Sequence, residues 1–257
     1  MTSNTEDWVS KMDKQMRRKK IGEIVEYFWN YVPFVVRNGV RFTNWKHHRE
    51  ILSDPEMYLK EGFTPETMVF DIGSQYGDWA ILWAKKYNVE VWAFEPLISN
   101  VVEMRVDIWL NRATKKVHAV KTLVGDGTPA DYRVDGDMAS LMWSNHPNHP
   151  TMRIDDFVLA WDKVPDLMKI DVEGFEYQVL KGAEMTIDRY HPRIIIETHS
   201  MELREKCDEF LTHLGYNLIY KGREVKGSGW MDEVTNLFYA WVRIPEKMEG
   251  EIVERNR

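Results

Sequence analysis

The chain of 257 residues is 44% hydrophobic and 29% charged, enough apolar content for one large domain or for one domain with an extension. A net charge of −7 and a pI of about 5.7 exclude an overall field that gathers nucleic acid or anionic membrane. No apolar run reaches the ~20 residues of a spanning helix, no signal-peptide pattern opens the chain, and the single Cys207 cannot close an internal disulfide, which suits a reducing cytoplasm.

The first 60 residues read as a helical extension. Trp8, Met12 and Met16 recur at four-residue spacing, and Ile21, Ile24, Val25, Phe28, Trp29 and Val32 form one apolar stripe that Pro33 ends. The basic run Arg17–Lys20 beside it has the pattern of a membrane-surface segment, but Glu23 and Glu26 dilute its charge. A helix packed on the main domain, with a solvated basic turn, is therefore expected.

From residue 61 onward strands and helices alternate, and one α/β domain over 61–257, carrying the N-terminal extension, is expected. Thr67–Gly73 is a short apolar strand and Asp78–Tyr87 a helix; Val89–Pro96 and Ile98–Asn111 repeat the pair. Val117–Asp126 is a third strand, followed by a polar stretch with Gly127, Gly136, Pro147 and Pro150 that suits a hairpin and loop. Asp155 and Asp156 precede an apolar run and are expected to cap its helix. Asp166–Gly174 with the helix Phe175–Met185, then Arg193–His199 with a helix from Met201 to Leu214, continue the series. Cys207 shares a helical face with Leu203, Phe210, Leu211 and Leu214, which favours a buried structural thiol over a reactive one. Tyr216–Gly222 and Thr235–Ile244 close the chain as strands with no helix between, so the last should run antiparallel. The whole reads as a doubly wound, mostly parallel α/β sheet.

Ligands of such sheets bind beyond the carboxyl ends of the strands. There lies "DIGSQYG", Asp71, Ile72, Gly73, Ser74, Gln75, Tyr76 and Gly77, with Glu95 and Pro96 after the second strand. Glu95 stands about twenty residues on, where an acid can accept from both ribose hydroxyls. The glycine spacing differs from the dinucleotide fingerprint, and acids at Asp71 and Asp78 would repel a diphosphate. They suit a cationic adenosyl amino acid, which favours S-adenosylmethionine over NAD.

The stretches "VFDIGSQYGDWAILWAKK", "VWAFEPLISN", "RIDDFV" and "LMKIDVEGFEYQVLKGAE", followed by "PRIIIETH", resemble in order the FkbM-type S-adenosylmethionine-dependent methyltransferases over about residues 60 to 240. The resemblance implies the class I methyltransferase (Rossmann-like) fold and methyl transfer, usually to a hydroxyl of a sugar, glycan or small natural product. It assigns cofactor contacts to Asp71, Gly73, Gly77 and Glu95, and an adenine contact to Asp126. Gln75 departs from the smaller Asn often found there.

Methyl transfer from a sulfonium needs an aligned acceptor and, for a hydroxyl, somewhere for its proton to go. Candidates at strand ends are Lys169, Asp171 and Glu173 on the fourth strand and His199, with Glu197, on the fifth. Lys169, Asp171 and Glu173 share one side of their strand and must be paired, solvated or facing a ligand. One arrangement is a Lys169–Asp171 ion pair with Glu173 capping a helix; in the other, Glu173 or His199 is the base and Asp171 attracts the sulfonium. His146 and His149 have ligand-like spacing but lie in a proline-broken loop. No Asp–Asp–Asn trio suggests a magnesium site, and no metal is expected. An amine acceptor, a non-catalytic cofactor-binding protein and an NAD oxidoreductase are the alternatives. The acceptor surface is expected from the N-terminal segment, residues 131–150 and 227–230, with Trp143 and Trp230 as stacking residues.

Overall fold

The computed structural model describes residues 35–37, 39–43, 63–135, 138–142, 148–221, 225–226 and 233–241. The helical stripe up to Val32, His146, Trp143 and Trp230 lie outside them. In chain order the elements are β1 (Val35–Arg37), β2 (Val40–Phe42), β3 (Met68–Ile72), α1 (Asp78–Tyr87), β4 (Glu90–Glu95), α2 (Ile98–Leu110), β5 (Val117–Lys121), β6 (Asp131–Asp135) and β7 (Met138–Met142). They continue with α3 (Ile154–Trp161), β8 (Leu167–Ile170), α4 (Glu176–Gly182), α5 (Glu184–Tyr190), β9 (Arg193–Thr198), α6 (Met201–His213), β10 (Tyr216–Lys221), β11 (Val225–Lys226) and β12 (Glu233–Trp241). No helix among the described residues is long and apolar enough to cross a membrane.

The main sheet has the order β10-β12-β9-β8-β3-β4-β5, with β11 paired to β12. β9, β8, β3, β4 and β5 are mutually parallel, and β12 runs antiparallel between β9 and β10. Period-two alternation makes two cores. Phe70, Ile72, Met168, Ile170, Ile194 and Ile196 face α3, α4 and α6, while Val69, Val91, Ala93, Val117 and Leu167 face α1 and α2. Burial on both faces is why these strands read as apolar runs. Cys207 is fully buried in the first core, as its helical face requires.

Three local expectations change. Past the helical stripe that Pro33 ends, which is not among the described residues, Val35–Arg37 and Val40–Phe42 pair as a hairpin: Val40 and Phe42 are fully buried against α1 and α2, and the Arg41 and Thr43 amides donate to Asn111 and Asp107. The helix after the fourth strand breaks at Ala183 into α4 and α5. Its second half is capped from another element, because Asp155 accepts from the Met185 and Thr186 amides and the Thr186 hydroxyl. Asp155 and Asp156 thus lie in the first turn of α3, whose N-cap is Arg153, and Asp155 serves the neighbouring helix. The third strand ends at Lys121, and the hairpin β6–β7 stands in the polar stretch that follows.

Candidate functional site

Strand order reverses between β3 and β8, the place where a parallel sheet opens a crevice at its carboxyl edge. The turn after β3 is closed by the Gly77 amide donating to the Ser74 carbonyl, and the Gly73 and Ser74 amides both reach the Phe94 carbonyl of β4. Gly73 has φ 79°, and a Cβ on it would stand 1.7 Å from the Asp171 carbonyl oxygen, so only glycine lets this turn press on the end of β8. Gln75 is also left-handed, Tyr76 is buried, and Gly77 faces Met104 of α2.

Glu95 joins the turn to the next helix. Its carboxylate accepts from the Gln75 amide at 3.1 Å, the Leu97 amide at 2.9 Å and the Asn100 side chain at 3.1 Å. Burial raises its pKa to about 7, against the pull of those donors and with help from the Asp71 charge. Oε2 accepts one of the three bonds and keeps a lone pair for a further hydroxyl. Pro96 follows, half-buried.

Asp71 works inside the protein. It is 1% exposed, accepts from the Ser74 hydroxyl at 2.8 Å, and lies opposite Lys169 in the β3–β8 register. Lys169 Nζ stands 3.7 Å from Asp71 and 3.2 Å from Asp171, so the ion pair read as one alternative is present and extends to a second acid. Burial raises the Asp71 pKa despite that lysine. Asp126, half-buried beyond β5, engages Thr128 through one oxygen and Lys181 through the other.

The second group of predicted residues converges at the ends of β8 and β9. His199 Nε2 lies 3.4 Å from Glu173 and 3.8 Å from Asp171, with Glu197 at 4.0 Å. His199 Nδ1 contacts Glu176 Oε1 at 2.8 Å, and Glu176 is fully buried. It is Glu176, not Glu173, that accepts from the Gly174 amide at the start of α4. Burial disfavours an imidazolium, but the Glu176 hydrogen bond and the charges of Glu176, Asp171 and Glu173 outweigh it and push His199 up to about 10. A protonated His199 accepts no proton at neutral pH, which leaves the carboxylates as the proton acceptors of the cluster.

Two neighbours escaped the sequence reading. Glu176 stands in the sequence as the last acid of "VEGFE", within the expected helix Phe175–Met185, with no local signal that it meets His199. Tyr132, on β6, has its hydroxyl pKa raised by burial and by the charge of Glu95, which brings the hairpin near that acid. His149, outside the cluster, pairs with Asp131 at 3.1 Å.

A family model described as Methyltransferase FkbM domain matches residues 71–218. No curated protein matches the sequence. Among solved structures the chain is similar to Methyltransferase FkbM from Methylobacillus flagellatus KT, with TM-score 0.51 and 18% identity over 72% of this chain and 50% of that one. It is also similar to TYW2 from Pyrococcus horikoshii, solved in complex with MeSAdo, with TM-score 0.50 and 14% identity over 81% of this chain and 70% of that one. The chain spans about half the length of the first of these structures. At such identities the likeness concerns the Rossmann-like fold.

Proposed function

Since the chain belongs to the FkbM methyltransferase family, we propose that it binds S-adenosylmethionine at the β3–β4 edge and moves the methyl group to a hydroxyl oxygen at the β8–β9 edge. The observation that carries this reading is Glu95. A buried acid at the end of β4 holds the Gln75 amide of the glycine turn, so the ribose acceptor and the turn form one cradle. The MeSAdo bound to the Pyrococcus horikoshii protein is an adenosyl compound on a similar fold, which agrees with an adenosyl ligand here. Asp71 supports the turn through Ser74, while Asp171, the more exposed of the two acids, is the one we assign to the sulfonium. Because the sulfonium's positive charge fades as the methyl leaves, an attraction there favours binding more than rate.

The transfer is an in-line displacement: an acceptor lone pair forms the C–O bond, the C–S bond breaks, and sulfur keeps that pair as a neutral thioether. Alignment in a closed cleft supplies about 7–11 kcal/mol of such a barrier. The hydroxyl proton passes to a carboxylate of the cluster, Glu173 with Glu197 beside it. A sugar, glycan or small natural product is the acceptor class that the family suggests, and the compartment we infer is the cytoplasm.

S-adenosylmethionine and S-adenosylhomocysteine are expected to raise the melting temperature while NAD leaves it unchanged, since only a ligand of the folded state stabilises it. The opposite pattern would sink the cofactor assignment. Glu95→Ala should abolish the shift. Affinity for S-adenosylhomocysteine should also climb about tenfold between pH 6 and pH 8, because the hydroxyls favour the ionised Glu95 and its pKa is about 7. Unliganded stability runs the other way. The raised pKa contributes stability fully present below the unfolded carboxyl value and lost as pH rises through about 7. Titration calorimetry across that range, with Glu95→Gln as the flat control, measures the affinity change.

Glu173→Gln is expected to keep the thermal shift and lose about 10²–10⁴-fold in turnover, the usual worth of a placed proton acceptor. Normal turnover in the variant, followed with a labelled methyl donor, would remove Glu173 from the reaction.

A further inference from the structure

The ends of β8 and β9 bring one ligand atom each from Asp171, Glu173 and His199 to within 4.8 Å of one another. Resting on the reading that this end of the cleft receives the acceptor, we propose that Asp171, Glu173 and His199 bind a divalent first-row transition-metal ion of the Mn²⁺ class, which holds the acceptor oxygen.

The ring orientation is the first argument. Glu176 is fully buried and takes the Nδ1 side of the imidazole at 2.8 Å, so Nε2 is the nitrogen turned to the cluster. A carboxylate behind a histidine, fixing tautomer and ring plane, is the outer support that metal-binding histidines commonly have. The spacing is the second. Metal–ligand bonds of about 2.0–2.2 Å at ordinary coordination angles put neighbouring donor atoms roughly 3.0–3.6 Å apart. From Nε2, Glu173 Oε2 at 3.4 Å falls in that interval, and Asp171 Oδ1 at 3.8 Å needs only a small carboxylate rotation.

Division of labour on Asp171 is the third argument. Lys169 pairs with its Oδ2, while Oδ1 faces the histidine. The lysine therefore shares the carboxylate without occupying the oxygen the ion would use. His199 is 2% exposed, but the Asp171 and Glu173 side chains are 17% and 21% exposed, so the ion would be anchored on the buried side and open towards the cleft. One imidazole with two carboxylates is a borderline donor set. It suits Mn²⁺, Co²⁺ or Zn²⁺ better than Mg²⁺, which prefers an all-oxygen octahedron with several waters.

A hydroxyl bound to such an ion gives up its proton more readily. On binding, the ion displaces to solvent the proton that His199 Nε2 carries in the ion-free protein, and it takes over the Glu173 carboxylate that otherwise receives the acceptor's proton. Glu197 or water then takes that proton, and the oxygen pair forms the C–O bond as the C–S pair returns to sulfur.

The test uses the full chain after chelator treatment, titrated with Mn²⁺ while the free-ion signal is followed by electron paramagnetic resonance. One Mn²⁺ per chain is expected to bind, to be displaced by Zn²⁺ and to resist equimolar Mg²⁺. Glu173→Gln and Glu173→Ala should each weaken it at least about tenfold. In the unmodified chain, the imidazole resonances of His199 should be the first that Mn²⁺ broadens. Absence of saturable binding, undiminished binding in folded Glu173 variants, or broadening elsewhere with His199 untouched would each overturn the proposal. A parallel thermal shift with S-adenosylhomocysteine separates the two readings. A shift without Mn²⁺ binding defeats the ion site alone, and Mn²⁺ binding without a shift defeats the cofactor reading and leaves the ion site standing.

Discussion

Gly73→Ala is expected to destabilise the protein by about 2–5 kcal/mol, or to prevent folding, and to eliminate any response to S-adenosylhomocysteine. Two costs add. A left-handed backbone charges a residue with a Cβ about 1–2 kcal/mol. Overpacking adds about 1–3 kcal/mol, and here the new atom would stand 1.7 Å from a main-chain oxygen that no rotamer change can clear. The backbone of the turn must then retreat from β8, which pulls the Gln75 amide away from Glu95. Urea denaturation of the variant beside the parent measures the effect. A loss below about 1 kcal/mol with ligand binding retained would show that the turn has room to move.

His199→Ala is the second large effect. Glu176 is fully buried, and its Oε1 is shared between the Gly174 amide and the His199 ring. Removing the imidazole leaves a buried carboxylate without its charged partner, which costs about 3–5 kcal/mol. Glu176→Gln in the same background should recover part of that loss, because a neutral amide no longer requires a buried counter-charge. If His199→Ala alone is as stable as the parent in chemical denaturation, the pair contributes nothing to folding and Glu176 does not orient the ring. Glu173→Gln, which keeps the side chain's volume at a half-buried position 3.4 Å from His199, should by contrast cost less stability than His199→Ala, so that its effects on turnover are read on a folded protein.

Much of the sheet was legible because its residues are locally consistent. The apolar runs around Phe70, Phe94, Ile170 and Ile195 are short and bounded by turn residues, and both of their faces are buried. The antiparallel β12 followed from the missing helix after β10. Helix ends were less legible. The break at Ala183 depends on Asp155, which comes from 31 residues away in sequence to reach Thr186. The described hairpin at residues 35–43 likewise depends on Asp107 and Asn111, whose polar side chains gave no local hint that they serve a distant backbone.

The candidate site divides along the same line. By itself the sequence determined that Asp71, Glu95, Asp171, Glu173 and His199 stand at or just beyond strand ends, since each lies where an apolar run meets a turn; the expected alternation did not reach Glu173, because β8 stops at Ile170 and Glu173 is left-handed at φ 53°. Only the tertiary structure decided which of them face each other. Register sets Lys169 between Asp71 and Asp171, so that Asp71 holds the turn, and the docking of α4 against β9 sets Glu176 behind His199. Charges interact through space, and a strand's neighbours are chosen by the whole sheet; a side chain's partner, and therefore its protonation, is not written in the residues beside it.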